Sequence, residues 1–346
     1  MVKEKSVQSA QPIGVIDSPD VFAAGSAPVL HVPVMLPEVL ALFALTGTGS
    51  DVLDCTLGEG GHAEALLTRY SGISYTAIDA DPEARARAAT RLFPFADRLR
   101  ILPGYFDEVL ASLETQEPTF RPDFVFFDLG VSMYHFAGSN RGFSYAADEP
   151  LDMRFSPDAP RSAADLVNGL REEELADLIY KYGEEKLSRR IAHAIVESRS
   201  RSPIRTSAKL ADVVRGAVPA QYRYGRIHPA TRTFQALRIA VNSELDRAER
   251  GIAAASRIVA PGGILAVISF HSLEDRVAKL AFRSLTRGSG WEDLSRKPLL
   301  PAEAEIASNP PSRSAKMRAA RSPLAGAAPA RSRYAKSGPD AQGGAA

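Results

Sequence analysis

Short apolar runs alternate with helix-periodic stretches from residue 51 to about 128, and then the alternation stops. "DVLDC", "ISYTAID", "LRILPG" and "DFVFFDLG" read as buried strands. Between them, "AEALLTRY" and "PEARARAATRLF" carry helical patterns. Strand, helix, strand in that order predicts a parallel sheet with helices on both faces. From about 135 to 235 the strand pattern is gone. "REEELADLIYKYG" sets Leu175, Leu178, Ile179 and Tyr182 on one helical stripe, with Gly183 just past the helix end. "KLSRRIAHAIVESR" repeats the stripe through Leu187, Ile191, Ala194 and Ile195, and "TSAKLADVVRGAV" opens on Thr206 as N-cap. One long helix is expected from about Ala230 to Ile258, and "PGGILAVISF" then returns to a buried strand. The expected organisation is an α/β domain, residues 29–134 and 236–321, interrupted by a helical insertion, 135–235. Residues 1–28 lack periodicity and read as a disordered arm. Residues 322–346, rich in Ala, Gly, Pro and Ser, read as a flexible tail.

Composition narrows the class. The 346 residues are 45% hydrophobic and 24% charged, ordinary for a soluble globular protein. No apolar run approaches the ~20 residues of a membrane helix. The N-terminus lacks an apolar signal core, and Glu4, Asp17 and Asp20 argue against a transit peptide. The single cysteine, Cys55, excludes an intrachain disulfide and a multi-cysteine zinc site. A cytoplasmic protein with no membrane partner is expected. Net charge is only +1, yet residues 181–238 hold 13 Lys/Arg against 4 Asp/Glu, a balance of +9. Residues 312–338 hold 7 Lys/Arg and no acid. Solvated helix faces and a phosphate-contacting surface both fit this asymmetry.

The candidate chemistry begins at "DCTLGEGGH". Gly58, Gly60 and Gly61 follow a strand and open a helix, where an open parallel sheet binds ligands. The spacing is neither G-x-G-x-x-G nor a Walker loop, so a diphosphate cradle is not indicated. An adenosine carrying an amino acid fits, which points to S-adenosylmethionine; a plain tight turn fits the glycines equally well. The second strand ends in Asp79, 21 residues after Gly58, at a distance suited to ribose hydroxyls. Alternatively Asp79 or Asp81 caps the helix that Pro82 begins. Phe106 suits either a purine face or an ordinary core. Asp128 follows four apolar residues, and an ionised carboxylate there needs a partner. Arg232, Gln235, Arg238 and Asn242 share one helical face, either site-facing or interdomain. His228 orders the start of a helix, and His271, directly after a buried strand, suits a site rim. No metal site is expected.

Ten stretches carry a resemblance. "HVPVMLPEVL", "DCTLGEGGH", "AIDADPEA", "FDLGVS", "RGFSY", "PLDMRF", "GEEKLSRRIAHAIV", "RIHPATRTFQALRIAVNSEL", "ISFHSLEDR" and "SRSAKMR" occur in this order. They resemble the RsmH (MraW) family, the 16S ribosomal RNA cytidine N4-methyltransferases, over about residues 31–321. The resemblance implies a Rossmann-like class I methyltransferase sheet with S-adenosylmethionine as cofactor. It implies 16S ribosomal RNA in the small ribosomal subunit as partner and leaves the oligomeric state open, a homodimer included. It places Gly60, Gly61, His62, Asp79, Phe106, Asp128 and His135 at the cofactor. The stretch "SMYHFA" departs from the family's "SSxQ(L/F)D", with Met133 for serine, His135 for glutamine and Ala137 for aspartate. Pro311 stands where the family usually has arginine.

The N4 amine of cytosine is conjugated with its ring and is a poor nucleophile, whereas a sulfonium methyl is highly electrophilic. Catalysis therefore calls for in-line positioning and hydrogen-bond acceptors at the amine. Asp128 and Ser132 are the expected catalytic residues. The competing readings are a methyltransferase acting on DNA or protein, and a non-catalytic RNA-binding assembly factor retaining the fold. "DLGVS" is unlike the D/N/S-P-P-Y/F stretch of DNA amino-methyltransferases.

Overall fold

The computed structural model describes residues 33–47, 51–225 and 227–325. The expected arm and all but the first residues of the expected tail lie outside them. Seven strands form one sheet: β1 (Asp51–Asp54), β2 (Ser74–Asp79), β3 (Leu99–Pro103), β4 (Phe124–Asp128), β5 (Ile264–Ser269), β6 (Glu292–Asp293) and β7 (Lys316–Arg321). Their order is β3-β2-β1-β4-β5-β7-β6, with β7 antiparallel to both neighbours and the first five strands parallel. This order fits the Rossmann-like class I sheet that the resemblance implies. The chain runs outward from β1 to β3, then returns across β1 to β4. That reversal opens a crevice at the carboxyl ends of β1 and β4.

The strands are apolar because both faces are covered. Phe124 and Phe126 pack with α1 (Leu36–Ala44), α2 (Gly61–Arg69) and α3 (Pro82–Arg91) on one face. Val125 and Phe127 pack on the other with Leu110 of α4 (Phe106–Gln116) and the helices that follow the insertion. The insertion comprises α5 (Met133–Ala137), α6 (Ala163–Gly169), α7 (Glu172–Gly183), α8 (Ser188–Arg201), α9 (Ser207–Ala217), α10 (Ala220–Arg223) and α11 (Thr231–Asn242). The chain continues through α12 (Glu244–Ile258), α13 (Ser272–Thr286) and α14 (Glu303–Ser308).

Four expectations need adjusting. The single helix expected over 230–258 is two helices, broken at Ser243, whose φ is +52°. Asn242 fixes the break by donating to the Met153 and Arg238 carbonyls and accepting from the Phe155 N–H. The apolar pattern hides this, because α11 faces one core and α12 another. An insertion boundary at 235 falls inside α11, and Phe234, Leu237 and Val241 all join the insertion's core. Gly183 lies within α7, and Glu184 takes the left-handed conformation after it. Glycine is needed at 183 because a Cβ would come within 2.5 Å of the Arg232 carbonyl on α11. Finally, the basic stretch "SRSAKMR", which carries no strand pattern, runs into β7; Lys316 and Arg318 both pair with Asp275. Thr206 is the N-cap of α9, accepting from Lys209 N–H.

Candidate active site

A cleft of about 1250 Å³ opens at the β1/β4 crevice, walled by strand ends on one side and by α11 and the Phe143–Ala146 segment on the other. The glycine turn forms its floor. Gly58 and Gly60 have positive φ, which lets the chain turn from β1 into α2, and Gly61 packs against Pro33. His62, in the first turn of α2, is buried and its Nε2 lies 3.0 Å from the Val34 carbonyl. Its Nδ1 faces Asp128 Oδ2 at 3.7 Å.

The carboxyls around this floor have distinct duties. Asp79 accepts from Gly58 N–H at 2.7 Å and from Asp81 N–H at 2.8 Å, so it shapes the turn while lining the cleft. Burial raises its pKa. Asp81, not Asp79, caps α3 through Glu83 N–H. Asp81 is also gripped by Arg141 of the insertion, with Oδ2 2.5 Å from the guanidinium. Burial works against ionised Asp81, but His135 and Arg141 overcome it and hold the carboxyl well below the usual carboxylate range. Asp54, buried in β1, is pushed up to about 7 by burial, against the bonds it accepts from Thr56 N–H and Tyr75 Oη–H.

Asp128 ends β4. Its backbone N–H donates to Thr56 Oγ1 at 2.6 Å, and its Oδ1 is buried with no hydrogen-bond partner among the described residues. Burial, followed by the charges of Asp54 and Glu274, raises its pKa well above the ordinary value. An orphaned buried oxygen costs stability unless something else meets it. Phe106 begins α4 and stands edge-on to Phe127 at 5.3 Å, with one side on the cleft.

His135 departs from a simple cofactor contact. Ser132 N–H donates to its Nδ1, so the ring proton sits on Nε2, 3.1 Å from Asp81 Oδ2. The ring edges onto Phe143 and Phe155. It still lines the cleft, but its polar edge is spent on the cap of α3. Ser132 Oγ lies 2.9 Å from the same Nδ1.

The structure brings all the expected site residues to one cleft or its immediate wall. It adds Thr56, Arg141, Asp54 and Glu274, which sequence reasoning passed over. Asp54 lies in an apolar strand and Glu274 in a capping-box position, the only signals available; Thr56 and Arg141 gave none. Arg232, Gln235, Arg238 and Asn242 line the cleft along α11, and each also bonds within the protein. The face is thus both site wall and seam. Cys55 is buried, and burial pushes its thiol up. Glu244, His271 and Glu274 bring ligand atoms within 4.8 Å of one another. Arg238 occupies both oxygens of Glu244, and His271 Nδ1 accepts Glu274 N–H, so these groups are committed to protein partners.

The sequence profile of the MraW methylase family matches residues 28–322. This chain belongs to that family. Relatives include "Ribosomal RNA small subunit methyltransferase H" of Treponema denticola, 44% identical over 307 residues and covering 84% of this chain and 97% of the relative. The proteins of the same name from Synechococcus elongatus and Prochlorococcus marinus are 48% and 49% identical, covering 84% of this chain and 94% and 92% of their own length. As a member of the MraW family the chain is a methyltransferase that uses S-adenosylmethionine. The cleft fits that cofactor: a glycine floor, Asp79 beside it, and Asp128 in its wall with one buried oxygen that no described residue meets. No helix among the described residues is long and apolar enough to cross a membrane.

Proposed function

We propose that this methyltransferase acts on the N4 amine of a cytidine in the decoding centre of small-subunit ribosomal RNA, working in the cytoplasm. The observation that carries the reading is Asp128, a buried carboxyl with an unmet oxygen at the switch point of the sheet. Gly60, Gly61 and His62 shape the floor for the cofactor, Asp79 accepts from ribose hydroxyls, and Phe106 offers a ring edge to the base. S-adenosylmethionine supplies an electrophilic methyl and needs no nucleophilic side chain, in keeping with a single buried cysteine. The protein's part is to align the amine and to provide acceptors, among them Ser132 Oγ and the Asp128 carboxyl.

The raised pKa of Asp128 has a consequence at this step. Burial and two neighbouring carboxyls oppose its charge and favour the protonated form in the free protein. A cationic ligand in the cleft favours the ionised form. Cofactor binding therefore shifts Asp128 toward losing its proton.

The opposite wall suits RNA. Arg232 and the exposed Arg313 line the cleft, and further arginines continue onto the insertion. A cytidine splayed out of a loop can reach a recessed carboxyl where a paired base cannot. A non-catalytic assembly factor would gain nothing from an orphaned buried oxygen, so the enzymatic reading is preferred. Mass mapping of small-subunit RNA from cells with and without the gene tests it. Loss of one methyl from one cytidine base is expected; an unchanged methylation map would overturn the reading.

A further inference from the structure

We infer that Glu274 is the carboxylate that receives the N4 amine of the target cytidine and takes its proton. The inference rests on the N4 reading above. Glu274 sits in the first turn of α13, beyond β5, and is 2% exposed, yet it forms part of the cleft wall. Its Oε2 accepts from the Phe270 and His271 N–H groups, at 2.8 and 3.3 Å. That half is an ordinary capping box and explains one oxygen. The other oxygen is turned toward Gly130, on the loop that follows Asp128. A Cβ built at Gly130 would stand 3.7 Å from Oε1, and the backbone there has φ +102°. A side chain beyond Cβ at this position would press on Oε1 and on the Phe270 ring, whose Cδ2 would lie 3.6 Å from that Cβ.

The charged groups nearby divide the labour. Burial and the charges of Asp54 and Glu274 disfavour ionised Asp128, whereas burial of Glu274 is overcome by His271, Arg238 and the Phe270 N–H, which hold it down to about 2. Glu244 is saturated by Arg238. His271 Nε2, which carries the ring proton, lies 3.1 Å from Oε1, so the imidazole is a positioning residue rather than a base. Glu274 is thus the carboxylate at this end of the cleft that stays anionic without a ligand's help. In the reaction the N4 lone pair forms the new N–C bond, and the electron pair of the broken C–S bond stays on sulfur. One N4 proton passes to Oε1 and then to water. A weakly basic carboxylate suffices, because a methylated, still fully protonated exocyclic amine is strongly acidic.

Glu274→Gln tests this, since glutamine also serves at this capping-box position. The expected result is a single-turnover rate lower by roughly a hundredfold or more. Melting temperature should stay close to wild type, and cofactor and RNA affinities within about threefold. A rate within threefold of wild type, or cofactor affinity falling as far as the rate, would overturn the assignment. Should this variant melt at a much lower temperature, Glu274→Asp keeps the charge but retracts it by one methylene. A folded Glu274→Asp protein should lose at least tenfold in rate, and wild-type turnover would overturn the proposal. Nucleoside analysis of the wild-type product separates the two claims. Methyl on an atom other than N4 removes the functional reading and this inference together. Methyl on N4 with an unaffected Glu274→Gln enzyme removes Glu274 alone.

Discussion

The two walls of the cleft treat charge in opposite ways. On the sheet side, carboxyls are few, buried and individually strained: Asp54 is pushed up to about 7, and Asp128 keeps an orphaned oxygen. On the insertion side, cations are many, but much of their charge is already used. Arg199 donates to the Val167 and Leu170 carbonyls at the end of α6, and Arg141 is clamped to Asp81. Arg238 is locked to Glu244. Arg189 and Arg201 are about three-quarters exposed and pair only with surface acids, the weak kind of ion pair. The count of +9 thus overstates the phosphate-binding surface. A single unmet oxygen says more about where the chemistry is than thirteen basic residues do.

The largest expected effect breaks the sheet side. Asp79→Ala removes a ribose acceptor and leaves the Gly58 and Asp81 N–H groups unmet. The unmet N–H groups lower the stability of the fold, and at about 1–3 kcal/mol for the ribose hydroxyls left without an acceptor, S-adenosylmethionine affinity should fall roughly ten- to a hundredfold. Calorimetry showing unchanged affinity would take Asp79 out of the site. Next is the seam between the walls. Arg141→Ala leaves Asp81, 1% exposed, with only His135 opposite it. Breaking a buried pair of this kind costs about 3–5 kcal/mol, visible as a shift of the denaturant midpoint. A midpoint unchanged from wild type would mean that the clamp is incidental.

Asp128 gives a smaller effect with a definite sign. Burial raises its folded pKa, so ionisation on cofactor binding makes affinity increase with pH. Asp128→Asn should flatten that dependence and abolish proton release, measured by calorimetry in buffers of different ionisation enthalpy. Equal proton release from both proteins would place the titrating group elsewhere. The apo fold responds to pH with the opposite sign. Asp54, raised to about 7, favours folding below pH 4, and that contribution is lost as pH rises toward 7.

The smallest effect sharpens the insertion side. Replacing Arg189, Arg190 and Arg201 together by alanine should spare cofactor binding and flatten the salt dependence of small-subunit binding. Arg199→Ala is the contrast: it should destabilise the helices and leave the salt slope alone. Identical slopes for the triple variant and wild type would make these arginines a solvated face.

The strands of the parallel sheet were legible because buried β1, β2, β4 and β5 read as short apolar runs. The glycine turn and Asp128 stood out because their spacing and setting were chemically unusual. The break at Ser243 was not legible, since the apolar periodicity continues through it. The strand β7 was hidden by its own lysine and arginines, which pair with Asp275. The role of Arg141 depends on a contact 60 residues away in sequence, and nothing local announces it. Glu274 was concealed in a different way: it reads as the acid of a capping box, and only the fold puts it in the cleft wall.

One measurement tests the central claim most directly. Purified protein is given S-adenosylmethionine with a labelled methyl and small subunits from cells lacking the gene, and the RNA is digested to nucleosides. The account predicts label in a single cytidine, recovered as N4-methylcytidine, and loss of that label with Asp128→Ala. Label on ribose or on another base, or no transfer despite measured cofactor binding, would contradict it.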